Sequence, residues 1–503
     1  MRMSMRPFGP LWMAATLLLS ACGSQVVNPV TGRTEYSVMD EASEIQEGAK
    51  AHEGVMKEYG AYADPKLQAY VNDLGQKLAS QSHRANLKWT FTVLDSPEIN
   101  AFALPGGYVY VTRGIMAYLD SEAELAGVMG HEIGHVTARH GAQRATRQQT
   151  AGIGVLAATV LGAVLEVGGV GGATNLASQL SQTAASGYIA SYSRDQESQA
   201  DELGAEYLSR NRYNPQNMVD VIQALKSQEQ FAADKAKADG KPVPSASNWL
   251  ASHPANDKRL ADIKVYAAKY KGQEGYADDG RARYLQAIAG MTFGDSADQG
   301  LVRGRNFYHE ALGIAITAPQ GWQVQNTSDA IALVNGAGDA GLVVRVVPPK
   351  AGSTHNDVIR NVLKPIDGRT EQRTLHGLAA THFDGTVRNQ QGQSRAIALT
   401  LVTGPGDRNY WLQYVAKDDS ARQRAQAGLT EAEASFRPMS PADRAAAKPW
   451  SVQTVPFPRG GFSELAKSSP LPAATAQAQL QLMNGAYGGG ADPKPGQAVK
   501  VIR

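Results

Sequence analysis

The chain has 503 residues, 43% of them hydrophobic, which at roughly 100–200 residues per domain provides for two to four domains. Its 49 basic and 47 acidic residues leave a net charge of +2 and are interspersed, so there is no electrostatic footprint for nucleic acid, and that class of partner is excluded. The only cysteine is Cys22, so no disulfide can form within the chain, and stability must come from packed cores.

Arg2 and Arg6 precede an apolar run from Leu11 to Leu19 that is too short to span a bilayer, so residues 1–21 read as a signal peptide. Leu19-Ser20-Ala21-Cys22 closes the run with the pattern of a bacterial lipobox, in which Cys22 is diacylated and becomes the first mature residue. Gly23 rather than aspartate follows. For lipoproteins of Gram-negative bacteria that implies anchoring in the outer membrane on its periplasmic face, with residues 22–39 as a tether. A first domain is expected over residues 40–290. Leu67, Tyr70, Val71, Leu74 and Leu78 recur at helical spacing, Trp89, Phe91 and Val93 alternate as a strand, and Tyr108 to Thr112 follow as another after the Pro105-Gly106-Gly107 turn.

The densest chemistry lies in Gly130-His131-Glu132-Ile133-Gly134-His135, an H-E-x-x-H sequence where a helix is predicted. Ser121 and Glu124 form a capping box, Leu125, Val128, Met129 and Ile133 supply an apolar stripe, and Gly141 offers a stop. Residues four apart share a helix face, so His131 and His135 can both reach one metal ion. Glu132 can then reach a metal-bound water without itself being a ligand. The metzincin third ligand is absent, since residue 141 is glycine. His140 lies nine residues beyond His131, on the opposite side of a continuous helix, and reads as a solvent-facing polar residue. The run from Ala151 to Ala173, rich in Ala, Gly, Val and Leu, is broken by glycine pairs and reads as a mobile lid over the cleft or a membrane-touching segment rather than a span. Further on, Glu197 and Asp201 are again four apart, so Glu197 can bind the metal while Asp201 accepts a hydrogen bond from the outer N–H of a ligand histidine. Together the two motifs form the gluzincin pattern.

His131-Glu132-x-x-His135, Glu197-x-x-Ala200-Asp201 and Ser252-His253-Pro254 with Arg259 resemble the zinc metallopeptidases that include the heat-shock protease HtpX and the prenyl-protein (CaaX) protease. Asn28-Pro29-Val30-Thr31-Gly32 and Asn100-Ala101-Phe102-Ala103-Leu104-Pro105-Gly106-Gly107 resemble the periplasmic β-barrel assembly-enhancing branch of that family. The resemblance covers roughly residues 28 to 290. It implies a mainly α-helical gluzincin domain with a small sheet and one Zn2+ per chain on His131, His135 and Glu197, with Glu132 as the base. The chain lacks the four transmembrane helices of the HtpX type and any tandem helical repeat of roughly 34-residue period, so partner recognition does not carry over. By resemblance, the strand carrying Gly107, Tyr108, Val109 and Tyr110 would hold an extended substrate through its main chain. His253 is expected to donate to the developing oxyanion, with Arg259 contacting substrate or an acidic neighbour. Pro254 also favours a helix start, which makes His253 a helix-start residue, and as a neutral imidazole it could instead fill the open zinc position and hold the enzyme latent.

Beyond residue 295 the pattern changes to an α+β domain over 300–440, weakly PsbP-like. Strands are predicted at Ile314–Ile316, Ile331–Val334 and Leu342–Val347, with a hairpin of Ala396–Val402 and Tyr410–Val415 and helices at Asn356–Leu363 and Ser420–Phe436. His309, His355, His376 and His382 are scattered there and read as structural. Residues 450–503 resemble a degenerate LysM-like domain in strand–helix–helix–strand order, with peptidoglycan as the implied ligand. The expected function is a lipid-anchored periplasmic zinc metalloendopeptidase that hydrolyses misfolded or misassembled envelope proteins. The alternatives are an envelope scaffold or chaperone-like holder, and a hydrolase of non-peptide substrates.

Overall fold

The computed structural model describes residues 24–150, 192–238, 240, 249–253, 257–270, 275–327, 329–388 and 393–503. The signal peptide, Cys22 and the Ala151–Ala173 segment lie outside the described residues, and no helix among the described residues is long and apolar enough to cross a membrane. The chain is multidomain, with a mixed α/β N-terminal region followed by β-rich structure.

The expected tether is a folded hairpin, β1 (Ser24–Val27) and β2 (Thr34–Ser37), paired antiparallel. Asn28 builds its turn by accepting from the amides of Val30 and Thr31 at 2.9 and 3.1 Å, and Gly32 takes the left-handed φ of 66° that the turn needs. A helix α1 (Glu41–Glu58) comes next, then the predicted amphipathic helix α2 (Pro65–Ser80), whose N-cap Asp64 accepts from Lys66 and Leu67. The small sheet consists of β3 (Thr90–Leu94), β4 (Ala101–Leu104) and β5 (Tyr108–Thr112), in the spatial order β3-β5-β4. A single turn, α3 (Arg113–Met116), leads to the motif helix α4 (Glu122–Thr137) and then to α5 (His140–Thr150). The region is completed by α6 (Arg194–Arg210), α7 (Asn217–Ala238), the single turn α8 (Trp249–Ser252), α9 (Asp257–Lys269), α10 (Arg281–Ala287) and a short strand, β6 (Thr292–Phe293).

Helix α4 is buried along nearly its whole length, with α6 and α7 on one side and the sheet on the other. Ser121 caps it as predicted, accepting from the Glu124 amide at 3.1 Å, while Glu124 reaches back to the Asp120 amide. The predicted stop at Gly141 is displaced: α4 ends at Thr137, Arg139 takes a left-handed φ of 58°, and Gly141 lies inside α5. The hairpin docks on this corner, where Asn28 Nδ2 donates to the Ala138 carbonyl, Gln143 donates to Glu35, and the Val38 amide donates to Thr146.

The second domain is built on a seven-stranded antiparallel sheet of β7 (Gln323–Asn326), β8 (Ile331–Val334), β9 (Ala340–Val346), β10 (Asp367–Leu375), β11 (Leu378–Arg388), β12 (Ser394–Thr403) and β13 (Asn409–Ala416), in the order β7-β8-β9-β13-β12-β11-β10. Helix α11 (Asp419–Ala434) packs on it, and a smaller sheet uses residues 301–303, 306–309, 314–317 and 437–438. The predicted strands and the 396–415 hairpin are present. The long hairpin β10–β11 was not predicted, because Asp367–Leu375 is almost wholly exposed and carries no apolar alternation.

Residues 450–503 keep the expected order: strand β14 (Trp450–Pro456), helices α12 (Gly461–Lys467) and α13 (Ala476–Met483), and strand β15 (Ala498–Ile502). No LysM-like fold is identifiable, and the segment has no separate core. Val452, Phe462, Leu480, Met483, Val501 and Ile502 belong to the same apolar cluster as Val128, Met129 and Ile133 of α4. Strand β14 pairs with β6, and the fully buried Lys500 donates to the Leu119 carbonyl at 2.5 Å and pairs with Asp120 at 3.1 Å, immediately before the α4 cap. Removal of residues 450–503 is therefore expected to abolish the cooperative thermal transition of the α/β region that carries α4, and Leu480→Ala to lower its unfolding free energy by about 2–5 kcal/mol. A transition of that region unchanged by the truncation would show the segment to be an independent module.

Candidate active site

The site begins with the contact between α4 and α6. A Cβ at Gly134 would come within 3.0 Å of the Ala200 carbonyl oxygen, and one at Gly204 within 3.1 Å of the His131 amide nitrogen, so glycine at both positions sets how closely the helices approach. Helix α6 is fixed at its start by a reciprocal box between Ser193 and Gln196. From that spacing the two predicted motifs meet. His131 and His135 project from α4, Glu197 and Asp201 from α6, and all four are buried.

The Nε2 atoms of His131 and His135 stand 2.9 Å apart, with Glu197 carboxylate oxygens 3.6 Å from the first and 3.5 Å from the second. His253 Nδ1 adds a fourth donor, 3.2 Å from His131 Nε2 and 3.0 Å from Glu197. One donor atom from each of the four residues falls within 4.8 Å of the others. The predicted support is present: His131 Nδ1 donates to Asp201 at 2.9 Å, which leaves the Nε2 lone pair facing the cluster.

Arg259 meets acidic neighbours behind the two histidines. Its Nε and Nη2 donate to the two Asp201 oxygens at 2.6 and 2.8 Å, and its Nη1 donates to the His253 carbonyl and pairs with Glu197 at 3.1 Å. Burial by itself would raise the Asp201 carboxyl, but the guanidinium holds it down at about 2. The helix-start reading of His253 is corrected as well: its amide donates to the Trp249 carbonyl, so it closes α8, and Pro254 lies outside the described residues.

Glu132 is fully buried, and burial raises its carboxyl above the usual range. Its Oε1 accepts from the Trp249 indole at 2.9 Å, and its Oε2 has no hydrogen-bond partner among the described residues. Trp249 also stacks on His253, with ring centroids 4.7 Å apart. The sequence reading missed it; the available signal was its position four residues before His253. His140 was misplaced. The break at Arg139 resets the helical phase, so the ring turns inward with no exposure, its Nδ1 2.9 Å from His135 Nδ1 and its Nε2 2.9 Å from Gln199 Oε1. Burial lowers this imidazole to about 4 and lowers His135 as well, which favours neutral rings.

The structure does not bring Gly107, Tyr108, Val109 and Tyr110 to a free edge. Strand β5 is the central strand, parallel to β3 and antiparallel to β4, so both of its edges are used. Tyr110 instead meets His52 of α1 at 2.6 Å. The strand at the sheet edge that packs along α4 is β4.

The residues fit a divalent cation on grounds of charge. Glu132, Glu197 and Asp201 are three buried carboxylates against one buried guanidinium, Arg259, an excess of acid that raises His253 despite its burial and that a cation would balance. Two imidazoles and a carboxylate around one point, with an adjacent unliganded glutamate, are the donor set of a zinc metallopeptidase.

Comparisons with known proteins agree. The profile of peptidase family M48 matches residues 65–267, so this part of the chain has the fold of an M48 zinc metallopeptidase. The chain is 32% identical to a β-barrel assembly-enhancing protease of Yersinia pestis over 212 residues, which is 41% of this chain and 40% of that protein. It is 32% identical to the Escherichia coli K12 protein of the same name over 205 residues, 40% and 39% of the two chains. To the mitochondrial metalloendopeptidase OMA1 of Schizosaccharomyces pombe it is 29% identical over 243 residues, 47% and 65%. The chain thus spans about two fifths of the length of the first of these relatives. Among solved structures, cyanobacterial PsbP from Synechocystis sp. PCC 6803 covers 28% of this chain and 98% of its own, at 14% identity and a TM-score of 0.21, too small a likeness to speak for the fold.

Trp249→Phe should keep the ring against His253 but remove the donor to Glu132. A hydrogen bond to a charged group contributes about 1.5–3 kcal/mol, so hydrolysis should slow roughly ten- to a hundredfold. The Glu132 carboxylate loses a group that favours its charged form, so its pKa rises further, and the acid limb of kcat/KM against pH should move to higher pH.

Proposed function

We propose that this chain is a zinc metalloendopeptidase of the bacterial envelope, with one zinc ion held by His131, His135 and Glu197. The observation that carries the reading is the convergence of these three donors beside the unpaired Glu132 Oε2. Bound there, zinc would act as a Lewis acid, polarising a peptide carbonyl and acidifying water. Glu132, its carboxyl raised by burial, takes the proton of the attacking water and passes it to the leaving amine. Asp201, itself fixed by Arg259, holds the ring of His131. His253 closes the site in the fourth position and, displaced by substrate, can donate to the developing oxyanion. Strand β4 replaces β5 as the backbone that would add an extended substrate, because it forms the sheet edge beside α4.

The names of the bacterial relatives support envelope proteins, misfolded or misassembled, as the substrates. The Leu19–Cys22 lipobox supports attachment to the outer membrane through Cys22 on the periplasmic face. A holder that only binds clients leaves the buried, desolvated Glu132 without a purpose, so hydrolysis is the better reading. Peptidoglycan binding by residues 450–503 has no comparable support, since that segment's apolar side chains are committed to the peptidase core.

Glu132→Gln should retain one zinc per chain and lose about 10²–10⁴-fold in casein cleavage, whereas His131→Ala should lose the metal itself. Metal analysis beside a cleavage assay checks both, and unchanged zinc in His131→Ala would overturn the assignment. Separately, Cys22→Ser should move the protein out of the outer-membrane fraction. Wild-type membrane recovery of that variant would place the anchor elsewhere.

A further inference from the structure

The two imidazoles of the H-E-x-x-H sequence are supported by different chemistry. Behind His131 stands an ion pair, Asp201 with Arg259. Behind His135 stands a neutral chain, in which His135 Nδ1 lies 2.9 Å from His140 Nδ1 and His140 Nε2 lies 2.9 Å from Gln199 Oε1. We infer that His140 and Gln199 are positioning residues that fix the tautomer of His135 and so make its Nε2 a metal ligand. The inference rests on the metal-site reading above and adds to it a control on one ligand.

The direction of the chain follows from hydrogen-bond inventory. The Gln199 amide oxygen can only accept, so His140 Nε2 carries the proton. The neutral His140 ring then has its lone pair on Nδ1, and the contact with His135 is satisfied only if His135 Nδ1 donates. That leaves the His135 lone pair on Nε2, which points at His131 Nε2 at 2.9 Å. The latter is also a lone pair, because His131 Nδ1 donates to Asp201. Two acceptors facing each other at this distance repel unless a cation lies between them. If the Gln199 amide presented its NH2 group instead, every donor in the chain would reverse, and a proton on His135 Nε2 would block the metal.

The relay also ties three helices together. His135 lies near the end of α4, His140 is the first residue of α5, and Gln199 sits in the second turn of α6. Helices α5 and α6 are further linked by Gln196 donating to Gln143 at 3.0 Å and Arg147 donating to Gln196 at 2.8 Å. Separation of α5 from α6 would break the relay, so the docking of α5 and the affinity for metal are coupled.

The test is zinc affinity, measured by competition with a chromophoric chelator, together with thermal unfolding of each variant in EDTA. Loss of an outer hydrogen-bond partner typically weakens metal binding 10–100-fold, which is the loss expected for His140→Leu. His140→Asn should restore affinity to within a few-fold of wild type, because its amide oxygen takes the place of the accepting Nδ1. Gln199→Glu, an acceptor only, should retain zinc, and Gln199→Leu, at a half-buried position, should weaken it even if His140→Leu fails to fold. Wild-type affinity in a folded His140→Leu, or in Gln199→Leu, would overturn the relay. Equal losses in His140→Asn and His140→Leu would do the same, by showing that packing rather than the acceptor matters. A wild-type protein that binds no zinc would instead overturn the metal-site reading on which the relay rests.

Discussion

The closeness of α4 and α6 governs everything the site can do. Glycines at 134 and 204 remove the side chains that would hold the two backbones apart, since a Cβ at 134 would press on the Ala200 backbone and one at 204 on the His131 amide and the Met218 side chain. Only from this separation do the imidazoles of one helix reach the carboxylates of the other. The same approach places His131 Nδ1 on Asp201 and leaves Glu197 equidistant, within 0.1 Å, from the two Nε2 atoms.

Bringing these groups together concentrates charge where water cannot screen it. Burial alone would neutralise the carboxyls, and Glu132 follows that tendency because it has only the Trp249 indole and nearby imidazoles to offset it. Asp201 escapes it through two hydrogen bonds from Arg259. The two carboxylates thus have opposite pKa directions within one cluster, one shifted towards its neutral form and one that stays ionised, and the difference is set by their partners rather than by residue type.

The rest of the peptidase region braces this pair of helices. The N-terminal hairpin grips the corner after α4 through Asn28 and Glu35, and the last strand of the chain holds the loop before α4 through Lys500 and Asp120. The beginning and end of the described chain therefore meet at opposite ends of the motif helix, with the seven-stranded domain inserted between β6 and β14. A segment that looks modular in sequence is in this way part of the peptidase core.

The sequence by itself determined what depends on local phase. Residues four apart on one helix share a face, so His131 with His135 and Glu197 with Asp201 were legible as pairs, as were the Ser121 cap and the apolar stripe behind it. The strands and helices of residues 300–440 with clear alternation were legible for the same reason. Only the tertiary structure decided what depends on where the phase breaks or on which distant segments meet. The left-handed turn at Arg139 reversed the direction of His140, and strand order made β5 central although the family resemblance gave it the substrate-holding role. Trp249 reaches Glu132 across 117 positions, and Lys500 reaches Leu119 across 381. No periodicity carries such contacts, because they are set by the packing of whole elements rather than by the spacing of residues within one.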